Sequence, residues 1–358
     1  MGRYIKPIGG EFWYSEDIVS HNKNLTMGNE INDFVLLDGG QSAIEFILKD
    51  INLSMSDFVM VPSYLCPTIL YKFNQLHINY LFYKINSKLQ IDINDIKENI
   101  TNYNVKAILF IDYFGFFHDD ETLKFLKSLK KKEIFLIEDA VQMLWNKRLD
   151  KFIGDYIFNS YRKFFPTDGS FVITKNISSF DFTESQYSEI VQKARVNKTN
   201  YINNHLESQA DYLHLFSKAD KEYYQINHIN GMSNVEKRYI MSIDFDLVSK
   251  LRINNYNYLH DKLALVEDIE ILFSRKLIGE NIPLTLPIRI NNRDKVREKM
   301  KESLIFCPIH WDLSNESWTK KYPESVELSN TILSLPIDWR YCKKDMDLII
   351  DNIIKILT

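Results

Sequence analysis

Lys163 lies in the stretch FNSYRKFFPTDGS (158–170), between the apolar segments GDYIF and SFVIT. Ser160 precedes it by three residues, where a strand-like segment ends. A lysine held in partly apolar surroundings has a lowered pKa, and its neutral amine is a nucleophile. On an exposed loop, the same residue would be an ordinary surface lysine. The neighbouring segments have to decide between these two interpretations.

Two carboxylates end another strand-like segment, EIFLIED (133–139). A carboxylate at the end of an apolar strand is costly unless it meets a cation or a hydrogen-bond donor. Successive strand residues point to opposite faces, so Glu138 and Asp139 cannot both face one site. Asp139 and Gln142 together can address two atoms of one planar ligand. Alternatively, Asp139 is the N-cap of a helix.

A glycine pair follows the first strand-like segment, in the sequence DGGQSAIEF. Gly39 and Gly40 permit a tight turn, and Gln41 and Ser42 then open a helix whose N-terminus can hold a phosphate. By itself, such a pair more often makes only a turn. Taken with the acid, the glutamine and the lysine, it completes the set that pyridoxal phosphate requires. That cofactor needs a Schiff-base lysine, a carboxylate at its ring nitrogen and donors for its phosphate.

These candidate residues can share one site only if the strands that they follow end at the same edge of a sheet. From about residue 34 to 175, continuous apolar runs alternate with amphipathic helical segments, which predicts βαβ units and a mainly parallel sheet. Ligands bind beyond the carboxyl ends of such strands. Residues 181–263 have helical spacing, 281–290 strand character, and 296–304 and 343–357 helical patterns. We therefore predict a large domain over residues 1–234, including linking helices, and a smaller α+β domain over 235–358.

The composition limits the possible partners. The chain has 358 residues, of which 45% are hydrophobic, and a net charge of −4, so no global basic field favours nucleic acid or an anionic membrane. The three cysteines are far apart and show no disulfide or zinc spacing. No signal peptide and no membrane-spanning run are visible. We expect a cytoplasmic protein without a metal site.

Several motifs resemble the DegT/DnrJ/EryC1/StrS family of fold type I, pyridoxal-phosphate-dependent sugar aminotransferases. The segment IEDAVQ matches the family's Glu-Asp-Ala-x-Gln signature, and GGQSAIEF and VMVPSYLCPTIL are similar to its phosphate turn and its Val-Pro-Ser strand end. The segment SYRKFFPTDG is similar to a divergent branch with Ser-x-Arg-Lys around the lysine. CPIHWDL and LSLPIDWRYCKKDM resemble the C-terminal domain of that branch.

The resemblance implies a three-layer α/β fold with a mainly parallel, seven-stranded-type sheet, and a role for each matching residue. Lys163 would bind the cofactor covalently and move a proton, and Asp139 would keep the ring nitrogen protonated. The remaining assignments to the cofactor are Gly40, Gln41, Ser42 and Ser160 near the phosphate, Gln142 near the ring hydroxyl, and Tyr64 and Cys66 at the position that stacks on the ring. His310 and Trp311 would line the substrate pocket, although His310 could equally be a core histidine.

The function that the resemblance implies is transfer of an amino group, from L-glutamate, to a keto sugar. The sugar would be nucleotide-linked and belong to surface polysaccharide biosynthesis. Family members build composite sites at a dimer interface, so a homodimer is expected. Changes in the substrate-side motifs, such as PTDGS after the lysine, leave two alternatives open. These are a pyridoxal-phosphate-dependent dehydratase, which the presence of Lys163 disfavours, and a non-catalytic binding relative.

Overall fold

The computed structural model describes residues 6–20, 34–144, 151–174, 182–185, 187–204, 208–273, 276–277 and 281–358. The strands are β1 (Ile8–Gly9), β2 (Phe34–Leu37), β3 (Phe58–Pro62), β4 (Asn79–Tyr83), β5 (Val105–Ile111), β6 (Phe135–Asp139), β7 (Tyr156–Phe158), β8 (Ser170–Thr174), β9 (Ile269–Ile271), β10 (Leu286–Ile290), β11 (Ile305–Phe306) and β12 (Ile332–Leu335). The helices are α1 (Gly40–Ile51), α2 (Ile69–Gln75), α3 (Ile93–Asn102), α4 (Asp120–Leu129), α5 (Tyr187–Asn204), α6 (Gln209–Tyr223), α7 (Asn234–Met241), α8 (Phe245–Leu263), α9 (Arg293–Glu302), α10 (Pro323–Thr331) and α11 (Lys343–Leu357).

A seven-stranded sheet has the order β2-β8-β7-β6-β5-β3-β4. Strands β4, β3, β5, β6 and β7 pair in parallel, and β8 is antiparallel to both of its neighbours, β7 and β2. All strands except β8 therefore run in the same direction. The predicted mainly parallel sheet is confirmed, and the carboxyl ends of six strands meet at one edge.

The central strands are buried on both faces. In β5, six of the seven residues of VKAILFI are buried, and the apolar residues of β3 and β6 join the same core. Such a strand needs helices on both sides of the sheet, and these amphipathic helices separate the strands in sequence. The continuous apolar runs in the sequence are thus explained by two-sided burial.

The C-terminal part contains a three-stranded antiparallel sheet of order β12-β10-β9, with α8, α9, α10 and α11 around it. The sequence predicted β10, α9 and α11, but not β9, β11, β12 or α10. Strand β1 near the N-terminus pairs with β11, so residues 8–9 lie beside the C-terminal part of the chain. The predicted boundary between residues 234 and 235 stays a prediction. Within the described residues, no helix is long and apolar enough to span a membrane.

Candidate active site

A cavity lies where the carboxyl ends of β5, β6 and β7 meet the first turns of α1 and α2. We call it the strand-end cavity. Nine of the eleven predicted site residues line it: Gly40, Gln41, Cys66, Asp139, Gln142, Ser160, Lys163, His310 and Trp311. The lining is completed by Ile44, Thr68, Ile69, Ile111, Val141, Phe158, Arg162 and Tyr223. Residues separated by up to 271 positions, from Gly40 to Trp311, therefore share one surface.

Lys163 ends a short 3-10 turn, Tyr161–Lys163, directly after β7. The neighbouring Phe164 and Phe165 are buried, and the indole nitrogen of Trp339 donates a hydrogen bond to the carbonyl of Phe164. This anchors the turn at the edge of the sheet. Burial lowers the pKa of Lys163, and the positive charge of Arg162 lowers it further. Lys163 is therefore a half-buried amine inside a cavity and not a surface lysine.

Asp139 is the last residue of β6, and it is 4% exposed. Its Oδ1 accepts a hydrogen bond from the backbone N–H of Val141, 2.9 Å away. Burial raises the pKa of Asp139 to about 7, against the opposing effects of the Val141 N–H and the charge of Lys163. A nearby cationic ligand would favour its ionised form. The contact is a local turn and not a helix N-cap, because residues 140–144 form no helix, and the carboxyl also lines the cavity.

Glu138 points to the other side of the sheet, as the alternation along the strand predicts. Its Oε2 accepts hydrogen bonds from the N–H groups of Ile153 and Gly154, at 2.7 and 2.6 Å. Burial raises the pKa of Glu138 to about 7, and the pKa of the neighbouring buried Asp112 is raised as well. These two carboxyls form a buried acidic pair that does not line the strand-end cavity.

The side-chain amide of Gln142 is oriented by a hydrogen bond to its oxygen. Its Oε1 accepts a hydrogen bond from the backbone N–H of Phe114 at 2.7 Å, which fixes the orientation of the amide. Its Nε2 is buried and has no hydrogen-bond partner among the residues that the structure describes. A buried donor without a partner is costly, so this amide is suited to a ligand with an acceptor atom.

The N-terminus of α1 forms the wall opposite the acid. A Cβ on Gly40 would meet no atom within 4 Å, whereas one on Gly39 would lie 2.5 Å from the hydroxyl of Tyr223. That hydroxyl accepts a hydrogen bond from the N–H of Gln41 at 3.1 Å. The side-chain amide of Gln41 donates to the carbonyl of Thr68 at 2.9 Å, and so ties α1 to α2. Glycine is thus needed at position 39 for close approach, and Gly40 leaves the first turn open to the cavity.

Two predicted residues do not line the strand-end cavity. Ser42 is 3% exposed and bonds to Asp38 and Asn230, because its position on α1 turns it toward the protein interior. Tyr64 is fully buried, and its hydroxyl donates to the carbonyl of His310. Its ring packs against Tyr113 and Trp311.

Cys66, His310 and Trp311 also line the cavity. The Sγ of Cys66 is 3.1 Å from the Oγ1 of Thr68. Nδ1 of His310 is 2.8 Å from the hydroxyl of Ser334, and burial lowers the pKa of His310 to about 3, so its ring is neutral. Trp311 packs edge-on against His310. His310 is therefore both a hydrogen-bonded interior histidine and a cavity residue.

Residues 33–181 match the model of the DegT/DnrJ/EryC1/StrS aminotransferase family. The predicted family resemblance is confirmed. The matching segment holds the acid, the glutamine, the glycine turn and the lysine, which are the residues of this family's motifs that line the strand-end cavity.

A sequence relative is the GDP-perosamine synthase of Escherichia coli O157:H7, which is 25% identical over 165 residues. The alignment covers 43% of this chain and 43% of the relative, so it spans less than half the length of that protein.

Solved structures match over nearly the whole chain. Spr1654 of Streptococcus pneumoniae, in its PLP form, has a TM-score of 0.68 at 14% identity, and the match covers 95% of this chain and 93% of that protein. NtdA of Bacillus subtilis, with PMP bound, has a TM-score of 0.65 at 15% identity and covers 90% of this chain and 73% of its own. The predicted three-layer fold type I architecture is thereby confirmed.

Sequence reasoning missed three polar residues of the strand-end cavity. Thr68 follows a predicted helix start at Pro67, which was a usable signal. Arg162 was noted only as part of the Ser-x-Arg-Lys motif of the divergent branch, and not as a site residue. Tyr223 lies at the end of α6, in a helical region without any motif, and only the fold brings it to the N-terminus of α1.

Proposed function

We propose that the protein is a pyridoxal-phosphate-dependent aminotransferase that transfers an amino group to a keto sugar. One observation carries this proposal: Asp139, Gln142, Lys163 and the open first turn of α1 line a single cavity at the carboxyl edge of a parallel sheet. Each supplies a group for a different part of one small, planar, phosphorylated ligand.

The residues present fit that cofactor. The buried Nε2 of Gln142 has no partner among the described residues and can donate to the ring hydroxyl. Gly40 leaves space at the N-terminus of α1, where backbone N–H groups favour a phosphate. Ser160, 5% exposed and facing the same cavity, offers a hydroxyl. Asp139 provides a carboxylate whose ionised form a cationic ring nitrogen would stabilise.

The bound cofactor supplies an aldehyde and an electron-withdrawing ring, and the protein's own residues place and move protons around it. Asp139 would place its carboxylate near the ring nitrogen and favour the protonated ring. Lys163, whose pKa is lowered by burial and by Arg162, would present its Nζ for covalent attachment. The same Nζ would be the group that accepts a proton and gives it back during the reaction. The buried Phe164 and Phe165 hold the lysine turn and exclude water from its rear side.

The finer assignment concerns the substrates. We propose L-glutamate as the donor and a nucleotide-linked keto sugar as the acceptor, in the biosynthesis of a surface polysaccharide. The similarity to a GDP-perosamine synthase supports this acceptor class. A homodimer with composite sites, which the family resemblance implies, is part of the proposal.

Absorbance spectroscopy of the purified protein with added pyridoxal phosphate tests the proposal. We expect a visible band that borohydride converts to a stable adduct on Lys163, identified by peptide mass spectrometry. Adding L-glutamate should bleach the band, and a suitable keto sugar nucleotide should restore it. A protein without the band is not a pyridoxal-phosphate enzyme. A band that no amino acid bleaches would exclude transamination and favour the dehydratase.

A further inference from the structure

A buried carboxyl, Asp38, lies between the end of β2 and the glycine pair that opens α1. It is 2% exposed and does not line the strand-end cavity, whereas Gly40, two residues further on, does. The charge of Asp38 is therefore next to the helix turn whose N–H groups would hold a phosphate, but it is hidden from solvent and from the ligand.

The hydrogen-bonding neighbours of Asp38 are neutral. Its Oδ2 accepts a hydrogen bond from the side-chain amide of Asn230 at 3.2 Å, its N–H donates to the carbonyl of Asn230 at 3.0 Å, and Ser42 contributes a hydroxyl. Its Oδ1 and the nearby hydroxyl of Ser185 are both buried without a hydrogen-bond partner in the described residues. An unpaired buried oxygen of this kind is costly as a carboxylate, but it could carry a proton.

The charged groups around Asp38 do not neutralise it. No ion pair joins it to a cation in the described part of the chain. The titratable groups that face it are Tyr223 of α6, whose pKa is raised by burial and by the charge of Asp38, and Asp168, whose negative charge raises the pKa of Asp38. Arg162 lies 5.5 Å from the centroid of the Tyr223 ring, and it pairs with Asp220 at 3.8 Å instead.

A bound phosphate would increase the negative charge in this region. A phosphate monoester carries a charge of about −1.5 to −2 near pH 7. Like charges disfavour each other's ionised forms, and buried charges are screened less by salt than exposed ones. Since Asp38 has no cation to offset this repulsion, binding of the phosphate favours its protonated form.

We propose that Asp38 takes up a proton from solvent when a phosphate group binds at the first turn of α1, so that the proton and the phosphate bind together. This inference rests on the proposed function and adds to it a pH-dependent control of the phosphate end of the cofactor. Asp38 is a positioning residue in this role, because it acts through the helix turn and not by contact with the ligand.

The direction of the pH effect follows from the free protein. Burial raises the pKa of Asp38 to about 6, although hydrogen bonds from Ser42 and Asn230 oppose this shift. Below that pH, Asp38 already carries its proton and does not repel the phosphate. Above it, Asp38 is ionised in the free protein, and phosphate affinity should fall as the pH rises toward the higher pKa of the complex.

Fluorescence titration of the cofactor-free, full-length protein with pyridoxal phosphate at pH 5.5 and pH 8.5 tests the coupling. Asp38→Asn mimics the protonated carboxyl, because its amide is neutral and its oxygen can still accept from Asn230. The ionisation of the phosphate itself affects both proteins equally. We expect the ratio of the wild-type dissociation constant to that of Asp38→Asn to be about 1 at pH 5.5 and about 10 at pH 8.5, which corresponds to a pKa rise of about one unit on binding.

Pyridoxal, which lacks the phosphate, is the matched ligand control, and its ratio should be about 1 at both pH values. Asp351→Asn is the control variant, because Asp351 is exposed on α11 and lies outside the strand-end cavity. Its affinity should equal that of the wild-type protein throughout. If Asp38→Asn does not fold, Asp38→Ser, which is also neutral and is smaller, replaces it with the same expected ratios.

Two outcomes would overturn the coupling while the proposed function stands. In the first, the visible band forms but the ratio for pyridoxal phosphate is the same at both pH values. In the second, pyridoxal shows the same increase, so that Asp38 acts on the lysine and not on the phosphate. If no band forms with pyridoxal phosphate at either pH, the proposed function fails, and the coupling falls with it.

Discussion

The strand-end cavity and the neighbouring cavity lined by Arg252, Arg297 and Arg340, the arginine pocket, meet at Lys163 but differ in their charged side chains. The first has a buried carboxyl, Asp139, near the open N-terminus of a helix, and the second is lined by five cationic and two acidic side chains. A buried charge is stabilised by an opposite charge. The strand-end cavity is therefore suited to a ligand with a cationic ring and an anionic tail, and the arginine pocket to an anion. A reaction at Lys163 would bring together the ligands of the two cavities.

Lys163→Ala tests that junction and should have the largest effect. Both the visible cofactor band and glutamate-dependent turnover should be lost, with kcat reduced at least about 10⁴-fold, because positioned proton transfer alone contributes up to this much. Spectroscopy and steady-state kinetics measure the two losses. Lys151→Ala is a control, since Lys151 lies outside the strand-end cavity. If the Lys163→Ala protein still turned over glutamate, Lys163 would not be required for the reaction.

Asp139→Asn affects only the strand-end cavity. The amide can still accept a hydrogen bond from Val141, but it cannot hold a cationic ring nitrogen by charge. We expect the cofactor to stay bound and kcat to fall about 10²- to 10³-fold, the usual cost of losing one preorganised electrostatic group. Binding of inorganic pyrophosphate to the arginine pocket of the cofactor-loaded protein, measured by titration calorimetry, should not change. If kcat were retained and that affinity fell, the division between the two cavities would be wrong.

The two cavities also differ in how far the sequence predicts them. Asp139 and Lys163 were predicted because the carboxyl ends of parallel strands meet at one edge, wherever the strands lie in the sequence. Arg252 and Thr285 carry no such signal. They come from a helix and from the approach to β10, and they meet residues 9–12 and 336–340 only through the way the C-terminal part packs. Local pattern predicts strand ends, but it does not predict which distant surfaces meet.

The same distinction holds within the strand-end cavity. Ser42 was predicted near the phosphate because it opens α1, but the helix turns its hydroxyl toward Asp38. The hydroxyl at the helix N-terminus belongs instead to Tyr223, which is 182 residues from Gln41 in sequence. The pattern therefore located the helix terminus correctly, whereas the side chains around it depend on tertiary contacts.

Glu138→Gln tests the buried carboxyl pair of Glu138 and Asp112 through the pH dependence of the free energy of unfolding. The pKa of Glu138 is raised in the folded protein to about 7 from an ordinary value of 4.5, so the folded state binds more protons than the unfolded state between these values. Its contribution to stability is present at low pH and is lost as the pH rises toward 7. The free energy of unfolding of the wild-type protein should decrease between pH 5 and pH 8. In Glu138→Gln, which has no carboxyl to titrate at this position, that decrease should be smaller by about 2–3 kcal/mol.

Urea unfolding of the cofactor-free protein across this pH range measures the effect. Glu302→Gln is the control, because Glu302 is exposed on α9 and should leave the pH dependence as it is in the wild-type protein. Equal slopes for Glu138→Gln and the wild-type protein would show that Glu138 is ionised throughout. The pH dependence of stability would then come from other titratable groups.

Tyr223→Phe should have the smallest effect, and it concerns the phosphate end of the strand-end cavity. The hydroxyl accepts from the N–H of Gln41, which leaves its own proton free to donate to an anion at the helix N-terminus. Losing one hydrogen bond costs about 1 kcal/mol, so affinity for pyridoxal phosphate should fall about fivefold. Tyr224→Phe is a closely matched control, because that ring is adjacent and more exposed. Equal cofactor affinities for the two variants, measured by fluorescence titration, would mean that backbone N–H groups alone hold the phosphate, and that the tertiary contact of Tyr223 serves only to close α6 against α1.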